Sequence, residues 1–191
     1  MVTGVVLAGG KSLRYGKNKA LEVFEGQRLV DRGLDALRPL CDPLIVVAND
    51  LSVYYDALAT LIQDIVPHQG PLGGLYTALL FSPNDWVFAR ATDMPFLVPE
   101  VLRMMLEMRD GCDAVIPLLN ERYEPMVALY RRSCLPVIAE TMEGGERKVV
   151  AFYRRVRLKT LPEERWRSVD PAGLSFKNVN TPEDWKDLGW N

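Results

Sequence analysis

One histidine, three cysteines and no surplus of positive charge leave several protein classes without support in this chain. A net charge of -2 gives no general attraction for a polyanion, which removes the electrostatic case for nucleic-acid binding. An anionic ligand must instead be held by a local pocket. Cys41, Cys112 and Cys134 are odd in number, widely spaced and form no CxxC pair. That argues against a disulfide framework and against a structural zinc site; they read as buried or half-buried thiols in a reducing compartment. No apolar run approaches the roughly 20 residues of a membrane span, and the start Met1-Val2-Thr3-Gly4 lacks the basic region of a signal peptide. A soluble, cytoplasmic protein with no membrane contact is expected. Internal repeats, low-complexity stretches and linkers are also absent, which predicts a single domain over residues 1–191.

What is there is an ordinary globular balance, 48% hydrophobic and 25% charged, on a chain long enough to bury a proper core. Val2 to Ala8 is a short apolar run ending in two glycines, the pattern of a buried parallel strand. Leu29, Leu34 and Leu37 keep helical spacing, and Pro39 and Pro43 mark where that helix stops. The pattern predicts further strands at Leu44–Ala48, Leu61–Val66, Trp86–Ala91, Ala114–Pro117, Met126–Tyr130 and Val156–Leu161. Helices are predicted over Ser52–Ala59, Leu75–Phe81, Pro99–Met108, Leu135–Met142 and Arg147–Tyr153, with Gly70-Pro71-Leu72-Gly73-Gly74 as a turn. A terminal helix is predicted over Thr181–Leu188, with Thr181 as its N-cap and Pro182 at the first helical position. Alternating strands and helices imply an α/β three-layer sandwich with a mostly parallel, Rossmann-like sheet.

In such a sheet, ligands bind beyond the carboxyl ends of the strands. The loop that follows the first strand, Leu7-Ala8-Gly9-Gly10-Lys11-Ser12-Leu13-Arg14-Tyr15-Gly16-Lys17-Asn18-Lys19, is therefore well placed. Its glycines let backbone N–H groups approach phosphate oxygens, and Lys11, Arg14, Lys17 and Lys19 gather positive charge there. The spacing is neither GxGxxG nor GxxxxGK[ST], which argues against a nicotinamide oxidoreductase and against a P-loop. Asp93 stands where an apolar strand runs out; it reads either as a turn cap before Pro95 or as a magnesium ligand. Asp64 is either a surface acid after a strand or a site acid, and Asn49 is in a position where Asn is also a common turn residue. On a strand, Asn178 and Asn180 would face one crevice, where amides can meet phosphate or metal; Asn180 also reads as a plain turn residue. His68 reads as an ordinary exposed side chain.

Three of these segments together resemble the MobA-type nucleotidyltransferases. Leu7 to Gly10, Ser12, Arg14, Gly16 and Lys19 match that family's LAGG-x-S-x-R-x-G-x-D-K signature. The GPLGG stretch follows Asp64 as in the family, and Phe176-Lys177-Asn178-Val179-Asn180-Thr181-Pro182-Glu183-Asp184 is similar to its F-x-N-x-N-T-P-E-D tail. Arg122 to Tyr130 and Gly145 to Lys148 also resemble family segments, and could either meet a second substrate or form a solvated face. The resemblance implies a nucleotide-diphospho-sugar-transferase-like fold whose first loop wraps the triphosphate. It implies that Arg14 and Lys19 contact phosphates, that Asp93 holds Mg²⁺, and that Asn49 and Asp64 lie near the nucleotide. It further implies GMP transfer from GTP to the molybdopterin cofactor, with no nucleic acid involved and with cofactor-biosynthesis or molybdoenzyme-delivery proteins as further partners. Alternatives are a sister enzyme using CTP, a sugar-phosphate nucleotidyltransferase, and a nucleotide-binding regulator without catalysis. One position departs: Asn18 stands where the family has aspartate.

Overall fold

A computed structural model describes residues 1–9, 18–67, 69–179 and 184. Its strands are β1 (Thr3–Leu7), β2 (Val23–Phe24), β3 (Gln27–Arg28), β4 (Leu44–Ala48), β5 (Thr60–Gln63), β6 (Trp86–Ala91), β7 (Ala114–Leu119), β8 (Arg122–Tyr123), β9 (Val127–Arg131) and β10 (Leu158–Leu161). Its α-helices are α1 (Leu29–Leu37), α2 (Gly70–Phe81), α3 (Pro99–Glu107), α4 (Leu135–Glu143) and α5 (Glu163–Arg167). The main sheet runs β10-β7-β9-β6-β1-β4-β5, with β8 paired to β7. The pairs β1–β4, β1–β6, β4–β5 and β7–β10 are parallel, and β9 runs antiparallel to both β6 and β7.

β1 and β4 are buried along their whole length, which is why they read as continuous apolar runs rather than alternating ones. Helices cover both faces, as β1 shows by alternation. Gly33 of α1 lies against Val6, whereas Gly74 of α2 lies against Leu7, and neighbouring strand residues point to opposite faces. One hydrophobic core extends from Val2 to Phe176. All three cysteines are free and buried, as expected.

Four local expectations need correction. Ser52–Ala59 forms turns, not a helix: the Asp50 carboxylate accepts from the Ser52 backbone N–H (2.9 Å) and hydroxyl (2.6 Å), an arrangement that competes with helix. The stretch Gly70 to Gly74 is the first turn and a half of α2 rather than a separate turn. Pro71 fits a first-turn position, and Gly73 is required by packing, because a Cβ there would stand 2.8 Å from the Val66 carbonyl oxygen. The predicted helix near Arg147–Tyr153 is a 3₁₀ segment at Val149–Arg155. Lys177 to Val179 joins no sheet, and the Val179 N–H donates to the Asp93 carbonyl at 2.7 Å; the expected shared facing of Asn178 and Asn180 falls on Asn180, outside the described residues. The predicted terminal helix, together with Gly10, Ser12, Arg14, His68 and Asn180, lies outside the described residues apart from the helical Asp184.

Candidate nucleotide site

The parallel arrangement brings the carboxyl ends of β1, β4, β5 and β6 to one side of the sheet, and a cavity of about 580 Å³ opens there. Leu7, Ala8 and Gly9 line it from β1, Val47 and Asn49 from β4, Asp64 from β5, and Ala91 to Asp93 from β6. Asn18, Lys19 and Asn178 complete the mouth. Thus the structure gathers every described residue that the sequence singled out for the nucleotide, although they lie up to 171 positions apart in the chain (Leu7 to Asn178).

Each is positioned by an identifiable local cause. β1 ends as the Ala8 N–H donates to the Val47 carbonyl at 2.8 Å. The Asn49 side-chain amide then donates to the Gly9 carbonyl at 3.0 Å, so Asn49 tethers the start of the glycine loop. A Cβ at Gly9 would come 3.4 Å from that amide nitrogen, and glycine leaves the approach open. Asp64 is buried. Its Oδ1 accepts from the Thr77 hydroxyl (2.8 Å) and the Val66 N–H (3.1 Å), which ties β5 to α2. Asp64 is therefore fixed by protein contacts as well as facing the cavity.

Lys19 and Asp93 meet across the mouth, with Nζ 3.7 Å from Oδ2. Their side chains are 15% and 35% exposed, so the acid keeps an open side. Lys19 opens a 3₁₀ turn, Lys19–Leu21, whose N-cap is Asn18. The Asn18 Oδ1 accepts from the Ala20 N–H at 3.1 Å, and its Nδ2 donates to the Tyr54 hydroxyl at 2.9 Å. Tyr54 is fully buried, and that burial raises its hydroxyl above the ordinary tyrosine value. The neutral amide at position 18 thus uses both halves, one as acceptor and one as donor.

Two neighbours of this site carry no individual role in the sequence reading. Tyr54 lay in the stretch read as a helix, where nothing marked it as the anchor of Asn18. Glu124 sits on the turn between β8 and β9, with Oε1 accepting from the Met126 N–H at 3.0 Å. Burial pushes its carboxyl up, the Met126 N–H opposes this, and the nearby Asp93 carboxylate adds to it. The sequence marked that turn only within the segment Arg122 to Tyr130, as a second-substrate contact or a solvated face; the fold brings it beside β6 and Asp93.

The donor set suits a hard cation better than a soft one: Asp93 offers a partly open carboxylate, and no thiol or imidazole among the described residues lines the cavity. Among those residues no three His, Cys, Asp or Glu side chains converge. Magnesium needs no such cage, since it takes one or two carboxylates with phosphate oxygens and water.

Comparison with known proteins agrees with this geometry. Residues 4–158 match the MobA-like NTP transferase domain. The chain is 37% identical over 185 residues to the molybdenum cofactor guanylyltransferase of Desulfosudis oleivorans, covering 96% of this chain and 92% of that one. It superposes with a TM-score of 0.81 on the molybdopterin-guanine dinucleotide biosynthesis protein A of Archaeoglobus fulgidus, at 31% identity over 97% of this chain and 95% of that chain. A 4-diphosphocytidyl-2C-methyl-D-erythritol synthase from Anaerococcus prevotii shares the fold, with a TM-score of 0.68 at 14% identity over 96% and 92% of the two chains.

Proposed function

The chain belongs to the MobA-like NTP transferase family, and from that premise we propose that it transfers GMP from GTP to the molybdopterin cofactor, with Mg²⁺, in the cytoplasm. The observation that carries this reading is the meeting of Lys19 and Asp93 at the mouth of the cavity beyond β1 and β6. A cation donor and a carboxylate on opposite sides of one crevice suit a metal-bound triphosphate. The terminal phosphate of the pterin attacks the α-phosphorus of GTP. One P–O bond forms there, the bond to the β-phosphate bridging oxygen breaks, and pyrophosphate leaves.

Such chemistry asks the protein for positioning and charge neutralisation rather than for a covalent intermediate. Asp93 would hold Mg²⁺, which when bound would offset charge on the leaving pyrophosphate. Lys19 would contact the phosphates, with Leu7, Ala8 and Gly9 along the triphosphate; by family resemblance Arg14, Gly10 and Ser12 would serve the same phosphates. Asn49 and Asp64 would border the nucleotide and Asn178 the second substrate or its phosphate, a role that family resemblance extends to Asn180. Residues 1–191 act as one domain, a reading supported by the continuous core. No helix among the described residues is long and apolar enough to cross a membrane. Cofactor-biosynthesis or molybdoenzyme-delivery proteins are the natural recipients of the product.

The choice of base is tested by equilibrium binding of GTP, CTP and ATP in the presence of Mg²⁺. GTP is expected to bind tightest. If CTP bound at least tenfold tighter, a gap of about 1.4 kcal/mol, a cytidylyl transfer would replace this reading.

The same proposal predicts how the chain tolerates its amide at position 18. In Asn18→Asp the carboxylate can still accept from the Ala20 N–H, and the Tyr54 hydroxyl, which retains its proton, can turn to donate to it. The exchange is therefore expected to change kcat/KM by less than about tenfold, equivalent to about 1.4 kcal/mol. Steady-state kinetics at fixed Mg²⁺ checks this. A silent native enzyme beside an active Asn18→Asp variant would make the protein a nucleotide binder instead.

A further inference from the structure

Arg90 is fully buried in β6, three residues before Asp93. It pairs in register with Val6 and Val127 and shares the face of Val6, the side covered by α1. Its Nη2 donates to the Phe96 carbonyl at 2.6 Å, while Nε and Nη1 are buried without a hydrogen-bond partner. No carboxylate stands among the charges acting on it: burial lowers it to about 9, opposed only by the Cys41 thiol. The group therefore stays charged at neutral pH in an apolar setting. A buried cation that lacks an acid is a cost to stability, and an apolar side chain of similar length is often tolerated as well or better. No ion pair accounts for it.

The Phe96 carbonyl supplies the reason. Residues 92–98 link β6 to α3 and carry Asp93. They are tied at four points: Met94 N–H to the Ala91 carbonyl, Asp93 carbonyl to the Val179 N–H, Arg90 to the Phe96 carbonyl, and Val98 N–H to the Ser175 hydroxyl. Arg90 is the tie between Met94 and Val98. We propose that Arg90 is a positioning residue, which fixes the segment carrying Asp93 from inside the core by clamping the Phe96 carbonyl. The inference rests on the proposed role of Asp93 as the metal carboxylate.

The experiment compares the full chain with Arg90→Met and Arg90→Lys, reading the melting temperature, Mn²⁺ affinity in the presence of GTP, and kcat separately from KM. Arg90→Met is expected to melt no lower than the wild type, yet to bind Mn²⁺ at least fivefold more weakly and lose at least tenfold in kcat. Arg90→Lys retains a donor and should recover part of both losses. Wild-type Mn²⁺ affinity and kcat in a folded Arg90→Met variant would overturn the proposal, as would a variant that melts well below the wild type or fails to fold, since the cation would then be structural. Recovery of nothing by lysine would likewise count against the clamp. A wild type that binds no Mn²⁺ with GTP would instead defeat the reading of Asp93, which separates the two failures.

Discussion

Asp93→Asn is expected to lower turnover by about 10²–10³, the scale of losing one preorganised electrostatic element at a reacting phosphorus. Every feature around Asp93 serves its placement. The buried part of β6 fixes the strand, the Val179 N–H holds the Asp93 carbonyl, and the side chain emerges partly open at the cavity mouth. Asparagine preserves shape and one acceptor but removes the charge that a hard cation requires. Because the side chain is partly exposed and its ion pair is long, the melting temperature should hardly move. Pyrophosphate release measured across a Mg²⁺ titration checks the prediction. Near-normal activity at limiting Mg²⁺ would exclude Asp93 as the metal carboxylate.

Lys19→Ala should be comparably severe for a different reason, lowering kcat/KM by about 10² or more. It removes a full charge from the phosphate side of the mouth. In the free protein, however, Lys19 sits 3.7 Å from the same carboxylate that would take the metal. A divalent cation binding alone must share Asp93 with that ammonium. The substitution is therefore expected to tighten Mn²⁺ binding without nucleotide while it weakens catalysis. Titration of Mn²⁺ into both proteins, beside their kinetics with GTP, reads the two effects separately. Weaker metal binding in both conditions would mean that Lys19 supports the metal site rather than competing for it.

These opposite signs arise from a contact that no local pattern displayed. Lys19 and Asp93 were each visible in the sequence, one in a basic glycine loop and one at the end of an apolar run. That they would form an ion pair depends on β1 and β6 lying side by side, in parallel and in register from Thr3↔Val87 to Leu7↔Ala91. Likewise Asn18 stood out only as a departure from the family pattern. Its physical solution, an amide shared between Ala20 and Tyr54, required a loop thirty-six positions away.

The class of fold was legible in the residues alone, because strands buried on both faces are near-continuously apolar and β1 and β4 carry that mark. The residues also determined the main helices by spacing and the site's chemical inventory by residue type. What the glycines and turns do follows instead from contacts distant in the chain. Gly73 was legible as a turn former, yet it lies within α2, where glycine is required because the Val66 carbonyl leaves no room for a Cβ. The β2–β3 hairpin was missed because its turn places Glu25 (φ 49°) as well as Gly26 (φ 77°) in the left-handed region, which glutamate rarely signals. Arg90 was hidden within an apparently ordinary strand. Whether a guanidinium there reaches solvent or stays in the core is set by what packs over it, and packing is long-range in the chain.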